Sequence, residues 1–159
     1  MNSAVYRLID PASPTFRLVL AVFVGGVIGW NRQSLGKPAG LRTHMLVCLG
    51  AALMALIPIQ LSSSPSPDAV SRVIQGVATG IGFLGAGEIL HQPIQGTAQP
   101  KVQGLTSAAA IWTTAALGLV TGCGLWMTSL IGLLLVWLIL SLAPRLERIA
   151  SRHKHREDE

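Results

Sequence analysis

The fold is decided by residues 102–144, which read VQGLTSAAAIWTTAALGLVTGCGLWMTSLIGLLLVWLILSLAP and contain no Asp, Glu, Lys or Arg. About a quarter of the residues of a soluble domain are charged, so a soluble protein does not leave so long a stretch uncharged. About 20 apolar residues suffice to cross roughly 30 Å of hydrocarbon as an α-helix. The stretch is long enough for two such helices with Gly122-Cys123-Gly124 as the turn, and it indicates that the surrounding solvent is lipid.

The rest of the 159-residue chain has the same character, since 50% of all residues are hydrophobic and only 12% are charged. Ser13-Pro14 and Ser66-Pro67 are typical of helix starts, where serine caps the first N–H groups and proline fits the first turn. The sequence therefore predicts an all-α, polytopic transmembrane helix bundle of about five spans (residues 14–143) followed by a charged cytoplasmic tail (144–159). The predicted spans are Thr15–Trp30, Thr43–Leu61, Val70–Leu90, Leu105–Thr121 and Trp126–Leu142, the last ending before Pro144.

The basic residues give the chain a net charge of +5, but they lie in short turns and near the C-terminus. That distribution is typical of topology signals beside a membrane and argues against a nucleic-acid surface. Five spans place nine Lys and Arg residues on one side and three on the other. Because basic loops stay inside, we expect the N-terminus outside and the C-terminus in the cytoplasm. If the fourth and fifth spans formed one re-entrant unit, the five basic residues of the tail would change sides.

Glycines recur at helical spacing along several spans. Helices in lipid associate through close approach over small residues, because lipid gives them little hydrophobic drive to do so. We interpret these glycines as helix-packing positions in the bundle interior, with a homodimer seam or a narrow polar pathway as alternatives. The glycines concerned are Gly25, Gly29, Gly76, Gly80, Gly82 and Gly118.

Two segments carry a family resemblance. The first contains GGVIGWNR (25–32) and GKPAGLRTHMLV (36–47); the second contains GIGFLGAG (80–87), QGLTSAAAIW (103–112) and AALG (115–118). Together they closely resemble the MgtC/SapB family of bacterial inner-membrane proteins, in order from about Arg17 to Leu142. The strings GKPAGLRTHMLV and GLTSAAAIW are specific and not generic membrane composition.

The resemblance implies a multi-pass protein of the bacterial plasma membrane, tied to growth in low magnesium and, in pathogens, to survival inside host cells. Some members are thought to restrain the F-type ATP synthase. We therefore expect a regulator of magnesium or energy homeostasis that works with another membrane protein or as a homo-oligomer, with a cation transporter or channel as the alternative. Longer members add a soluble C-terminal domain, and the family's first helix usually ends in Gly-x-Glu-Arg, where this chain has Asn31.

The candidate functional cluster gathers polar residues at one membrane face. Glu88 is the only acid inside the apolar runs, and an ionisable group at that depth needs a partner or water. The topology places it level with Arg32, so we expect the two head groups within about 4 Å, the usual ion-pair distance. One hypothesis is that the acid expected at Asn31 has moved to Glu88; the alternative is that Glu88 reaches headgroup water. The cluster consists of Asn31, Arg32, Lys37, Arg42, His44, Glu88 and Lys101.

Other chemistries find less support in the residues. Ser107 with His44 and His91 would be needed for a hydrolase, but Ser107 lies in an alanine run that is typical of helix packing, so we expect no enzyme and no catalytic residue. Glu88 alone offers too few oxygens for magnesium, and His153 and His155 lie in the tail, so no metal or cofactor is expected. Cys48 and Cys123 lie at different depths and are not expected to pair.

Overall fold

The computed structural model describes residues 13–61, 66–90 and 104–157, and the described chain forms five α-helices joined by turns and loops. All five are long and apolar enough to cross a membrane. This confirms the predicted all-α bundle and makes the chain a multi-pass membrane protein. The helices are α1 (Pro14–Ser34), α2 (Leu41–Leu61), α3 (Pro67–Leu90), α4 (Leu105–Gly122) and α5 (Trp126–Glu157).

Serine caps begin α1 and α3, as the sequence predicts. The Ser13 hydroxyl accepts a hydrogen bond from the Phe16 N–H at 3.2 Å, and Pro14 is the first residue of α1. The Ser66 hydroxyl accepts one from the Ala69 N–H, also at 3.2 Å, directly before Pro67. Each cap satisfies one of the N–H groups that a helix start leaves unpaired.

Two turns depend on a left-handed glycine. Gly124, with φ of 84°, reverses the chain between α4 and α5, as expected of the Gly122-Cys123-Gly124 turn. In the loop between α1 and α2 the left-handed residue is Gly36, with φ of 64°. Gly36 directly precedes Lys37 and takes the conformation that side chains disfavour.

The fourth helix is the centre of the bundle. It contacts each of the other four helices, and 56% of its 18 residues are buried. The third helix is the opposite case. It packs on α2 and α4, and only 11% of the residues in its 18-residue apolar segment are buried. One side of α3 is therefore left to the lipid.

The glycine predictions divide into two groups. A Cβ placed on Gly25 would lie 2.9 Å from the Cys48 Cβ, one on Gly29 would lie 2.7 Å from the Leu41 Cα, and one on Gly118 would lie 2.9 Å from the Ala51 Cβ. These distances are too short for a real Cβ, so α1 and α4 approach α2 as closely as helices can, and the packing prediction is confirmed at Gly25, Gly29 and Gly118.

The glycines of the third helix make no such close approach within this chain. A Cβ on Gly76, Gly80 or Gly82 would meet no atom within 4 Å. The three glycines lie on the sparsely packed helix α3, which the bundle covers only where it meets α2 and α4. Spacing alone predicts a small-residue stripe, but it does not say which stripe the neighbouring helices cover.

The last helix does not end before Pro144, as the sequence analysis expected, but continues through it to Glu157. A proline inside a helix removes one main-chain hydrogen bond, and helices in membranes tolerate this; α2 likewise contains Pro58. At 1.5 Å per residue, 32 residues span about 48 Å, longer than the roughly 30 Å of hydrocarbon. The predicted tail, with His153 and His155, therefore begins as a helical extension of α5.

Candidate functional site

Four helix ends meet at one end of the bundle, which we call the polar end: the C-terminal ends of α1 and α3 and the first turns of α2 and α4. Arg32, His44 and Glu88 lie there, and Arg32 interacts electrostatically with both Glu88 and His44. Lys37 and Arg42 are exposed at the same end. Of the predicted cluster, Lys101 lies outside the described residues.

Arg32 is a buried charge on the last turn of α1. Its side chain is only 3% exposed, and its Nη2 donates a hydrogen bond of 2.7 Å to the Ser107 hydroxyl oxygen, itself buried. Burying a guanidinium is costly unless it is hydrogen-bonded and paired. Ser107 therefore anchors the end of α1 to the first turn of α4.

The Arg32–Ser107 contact was missed by sequence reasoning, which assigned Ser107 to helix packing. A signal for it was present, because Ser107 is the third residue of α4. A residue at the start of α4 and one near the end of α1 lie at the same depth when the two helices run antiparallel. The hydrogen bond thus joins Ser107 of the string GLTSAAAIW to Arg32 of the string GGVIGWNR.

Glu88 neighbours Arg32 without touching it. The two charges interact electrostatically. Among the described residues, however, the buried Glu88 Oε1 has no hydrogen-bond partner, and the Arg32 guanidinium donates its hydrogen bond to Ser107. The expected ion pair within about 4 Å is therefore not formed. The reason is architectural: α1 and α3 make no backbone contact in the described chain, because α4 separates them.

The end of α3 is held close to the start of α4 by two glycines. A Cβ on Gly104 would lie 3.0 Å from the Glu88 carbonyl oxygen, and one on Gly85 would lie 3.5 Å from the Ala108 Cβ. This contact brings Glu88 to the polar end even though α3 is the least buried helix. The position of Glu88 is thus set by backbone packing.

His44 lies inside the bundle and not at the headgroup surface where the sequence analysis placed it. It is fully buried, and its Nδ1 is 2.9 Å from the Gly40 carbonyl oxygen, one turn earlier. A carbonyl only accepts, so Nδ1 carries the hydrogen, and in the neutral ring Nε2 is then an acceptor. This Nε2 has no hydrogen-bond partner in the described chain.

Asn31 belongs to the other side of α1. Its Nδ2 donates a 3.2 Å hydrogen bond to the Ser141 hydroxyl of α5, and its buried Oδ1 has no partner among the described residues. Asn31 and Arg32 therefore face different neighbours, α5 and α4. Glu88 does not occupy the place of the position-31 side chain, so the structure does not support the hypothesis of a relocated acid.

One turn deeper, every helix that carries a buried residue of the polar end becomes apolar. Ile28 follows Arg32 inward on α1, Cys48 follows His44 on α2, and Ile111 follows Ser107 on α4; all three are buried. The close approach of Gly118 to α2 lies beyond them. The buried polar groups of the polar end thus do not continue into the next turn of these helices. In the described part of the chain, no three His, Cys, Asp or Glu side chains gather to hold a metal ion.

The opposite end of the bundle holds a second set of polar contacts. Arg17 of α1 donates a 3.0 Å hydrogen bond to the Gly122 carbonyl at the end of α4, where a positive charge complements the helix dipole. Thr121 and Ser129 share a buried hydrogen bond of 2.7 Å. Cys123 and Cys48 are both free. Burial raises the pKa of the Cys123 thiol, and nearby Arg17 opposes that rise.

Several known proteins are similar to this chain in sequence. Protein SrpB of Synechococcus elongatus is 54% identical over 141 residues, covering 86% of this chain and 78% of that protein. The putative magnesium transporter YhiD of Escherichia coli is 39% identical over 145 residues, covering 87% of this chain and 65% of that protein. Protein MgtC of Salmonella typhimurium is 40% identical over 101 residues, covering 64% of this chain and 39% of that protein.

The chain thus spans less than two thirds of YhiD and of MgtC. No solved structure matches it. The model of the MgtC family matches residues 18–149, which include α2, α3 and α4, most of α1 and α5, and every described residue of the polar end. The resemblance drawn from GKPAGLRTHMLV and GLTSAAAIW is confirmed, and the chain belongs to the MgtC family.

Proposed function

We propose that this protein regulates magnesium or energy homeostasis in the bacterial inner membrane by acting on a membrane partner, and that it is not an enzyme. The family and the printed name of YhiD, a putative magnesium transporter, support the link to magnesium. The partner implied by the family resemblance is the F-type ATP synthase. The alternative is a cation transporter or channel.

One observation carries the proposal of a regulator: the buried polar side chains of the polar end do not continue into the next turn of their helices. Arg32, His44 and Glu88 lie at one end, and the next turn inward is filled by Ile28, Cys48 and Ile111. A transporter needs polar groups that reach the middle of the membrane. Deeper on α4, the buried Thr114 hydroxyl donates to the Ala110 carbonyl of its own helix. A polar site whose next turn is apolar is better suited to contact than to conduction.

The third helix supplies a surface for a partner. Gly76 and Gly80 leave open space on it, Phe83 beside them is 84% exposed, and Thr79 is exposed as well. Small residues with a neighbouring hydroxyl favour close helix–helix contact in lipid. We propose that a helix of the partner packs on this face, which we call the open face of α3.

The orientation belongs to the same proposal. The bias of nine basic residues to three favours a cytoplasmic C-terminus and an outer N-terminus. With that orientation the polar end, with exposed Lys37 and Arg42, lies at the cytoplasmic surface. It would then lie on the side where the catalytic part of an ATP synthase works.

The test is ATP-driven acidification of inverted bacterial membrane vesicles, with and without this protein. We expect the wild type to lower the initial rate of acidification, and Gly76→Leu, which fills the open face of α3, to abolish the effect. Gly50→Leu is the matched control, since a Cβ on Gly50 of α2 also meets no atom within 4 Å. Equal rates with and without the wild-type protein would rule out the ATP synthase as partner.

A further inference from the structure

Four buried polar side-chain atoms lack a partner at the polar end of the described chain. Asn31 Oδ1 is on the side of α1 that faces α5, and the other three, Arg32 Nε, His44 Nε2 and Glu88 Oε1, come from three different helices. Arg32 and His44 are almost wholly buried side chains, 3% and 0% exposed. A polar group removed from water without a hydrogen bond is costly, and such groups in native proteins are nearly always satisfied by protein, water or a ligand. Three of them in one neighbourhood point to an occupant.

The hydrogen-bonding roles of the three atoms are fixed by chemistry. Arg32 Nε–H can only donate, and a carboxylate oxygen of Glu88 can only accept. His44 Nε2 accepts, because Nδ1 gives its hydrogen to the Gly40 carbonyl at 2.9 Å. Protonating Nε2 as well would place a second positive charge beside Arg32, with which His44 already interacts.

The complement of one donor and two acceptors is a molecule with one acceptor and two donors, which describes water. A metal ion would be repelled by Arg32 and would leave the Nε–H unsatisfied. A phosphate ion would be repelled by Glu88, and its dianion has only one hydrogen for two acceptors. Internal waters typically make about three hydrogen bonds to buried polar groups, the number available here.

We propose that the polar end contains a bound-water site in which water accepts a hydrogen bond from Arg32 and donates to Glu88 and His44. The water completes the Arg32–Glu88 ion pair that direct contact does not form. It also joins α3 to α1, two helices without backbone contact in the described chain. The site thus ties the least buried helix to the rest of the bundle through solvent, while Ser107 holds Arg32 in place from α4.

The direct test is a structure of the protein in lipid at about 2 Å resolution. We expect density at the hydrogen-bonding distances of about 2.7–3.2 Å from all three atoms. A direct Arg32–Glu88 pair, density for a phosphate or metal ion, or Glu88 turned out to the headgroups would each overturn the proposal.

A double-mutant cycle on thermal unfolding in mild detergent tests the same site in solution. His44→Asn keeps a donor for the Gly40 carbonyl but removes the acceptor at the Nε2 position, and Glu88→Leu removes the other acceptor. Because both serve one water, we expect the double variant to lose clearly less in Tm than the sum of the single losses. Thr114→Val with Glu88→Leu is the control and should be additive, since the Thr114 hydroxyl bonds the Ala110 carbonyl of its own helix. Additive losses for the His44–Glu88 pair would contradict a shared water.

Discussion

Ser107 is the residue on which the buried charge of Arg32 depends. The hydroxyl accepts the 2.7 Å hydrogen bond from the guanidinium, and both side chains are 3% exposed. Hydrogen bonds to charged groups stabilise by about 1.5–3 kcal/mol, more than neutral ones. Within the described chain the Arg32 guanidinium makes no other hydrogen bond. Without the Ser107 hydroxyl it would keep only the longer-range attraction of Glu88.

We predict that Ser107→Ala lowers the free energy of unfolding by about 1.5–3 kcal/mol, as measured by thermal or denaturant unfolding in mild detergent. Thr106→Ala is the matched control, because Thr106 is the preceding residue of α4 but is exposed. It should change stability little. Equal losses for the two variants would show that the Arg32–Ser107 bond does not stabilise the bundle.

Cys123 provides a test at the other end. Burial raises the pKa of its thiol and Arg17 opposes the rise, so removing the positive charge should raise the pKa further. We predict that Arg17→Gln slows alkylation of Cys123 at any given pH, because less thiolate is present, whereas Arg17→Lys keeps the rate close to wild type. The measurement is the rate of maleimide labelling between pH 7 and about pH 9, around the ordinary range of thiol pKa values.

Cys48 is the internal reference for that labelling, since it is fully buried against the close approach of α1 and α2. It should stay unmodified throughout. Faster labelling of Cys123 in Arg17→Gln than in wild type would mean that accessibility and not charge governs the thiol.

At the scale of the helix, glycine has two different roles in this chain. Gly118 lets α4 lie directly on α2, where any Cβ would meet the Cys48 carbonyl and the Ala51 Cβ. Gly76 has open space around it. The same residue type at the same kind of spacing is therefore a packing requirement on one helix and a free surface on another.

We predict that Gly118→Ala destabilises the bundle by about 1–3 kcal/mol, the usual cost of overpacking. Gly76→Ala should be neutral or stabilise by about 0.5–1 kcal/mol, because alanine favours the helix. Both are measured by thermal unfolding in detergent. A large loss in Gly76→Ala would show that the open face of α3 is covered, as in a homo-oligomer.

The sequence predicts the helices well because lipid makes apolar length decisive. The boundaries of α2, α3 and α4 fall within a few residues of the predicted spans, and the caps at Ser13 and Ser66 follow from local chemistry. The end of α5 was missed, because Pro144 is tolerated where a break was expected. Capping residues in the sequence thus predict where a helix begins, but a proline in the sequence does not by itself predict where a helix ends.

The polar end was predicted as a set of residues but not as a set of contacts. Charge and depth pointed to Arg32 and Glu88, yet the partner of Arg32 is Ser107 and that of Asn31 is Ser141. Both serines lie in apolar stretches where a hydroxyl is inconspicuous. Which side chains meet depends on the arrangement of α1, α3 and α5 around α4, and a single sequence does not contain that arrangement.

For the whole molecule, the proposed orientation can be tested at the C-terminus. We predict that a reporter active only in the periplasm stays silent when fused after Glu159, and that one active only in the cytoplasm gives signal. The reason is the bias of nine basic residues to three. Periplasmic activity would place the polar end on the outer side and exclude the proposed contact with a cytoplasmic surface.

The central claim is that the polar site is closed by the packed core and that the chain by itself does not conduct. The most direct measurement is magnesium uptake into liposomes containing only the purified protein, followed with an internal fluorescent magnesium indicator under an inward gradient. The account predicts uptake equal to that of protein-free liposomes, for the wild type and for Glu88→Gln alike. Saturable, protein-dependent uptake that Glu88→Gln abolishes would contradict it and establish a transporter that uses this site.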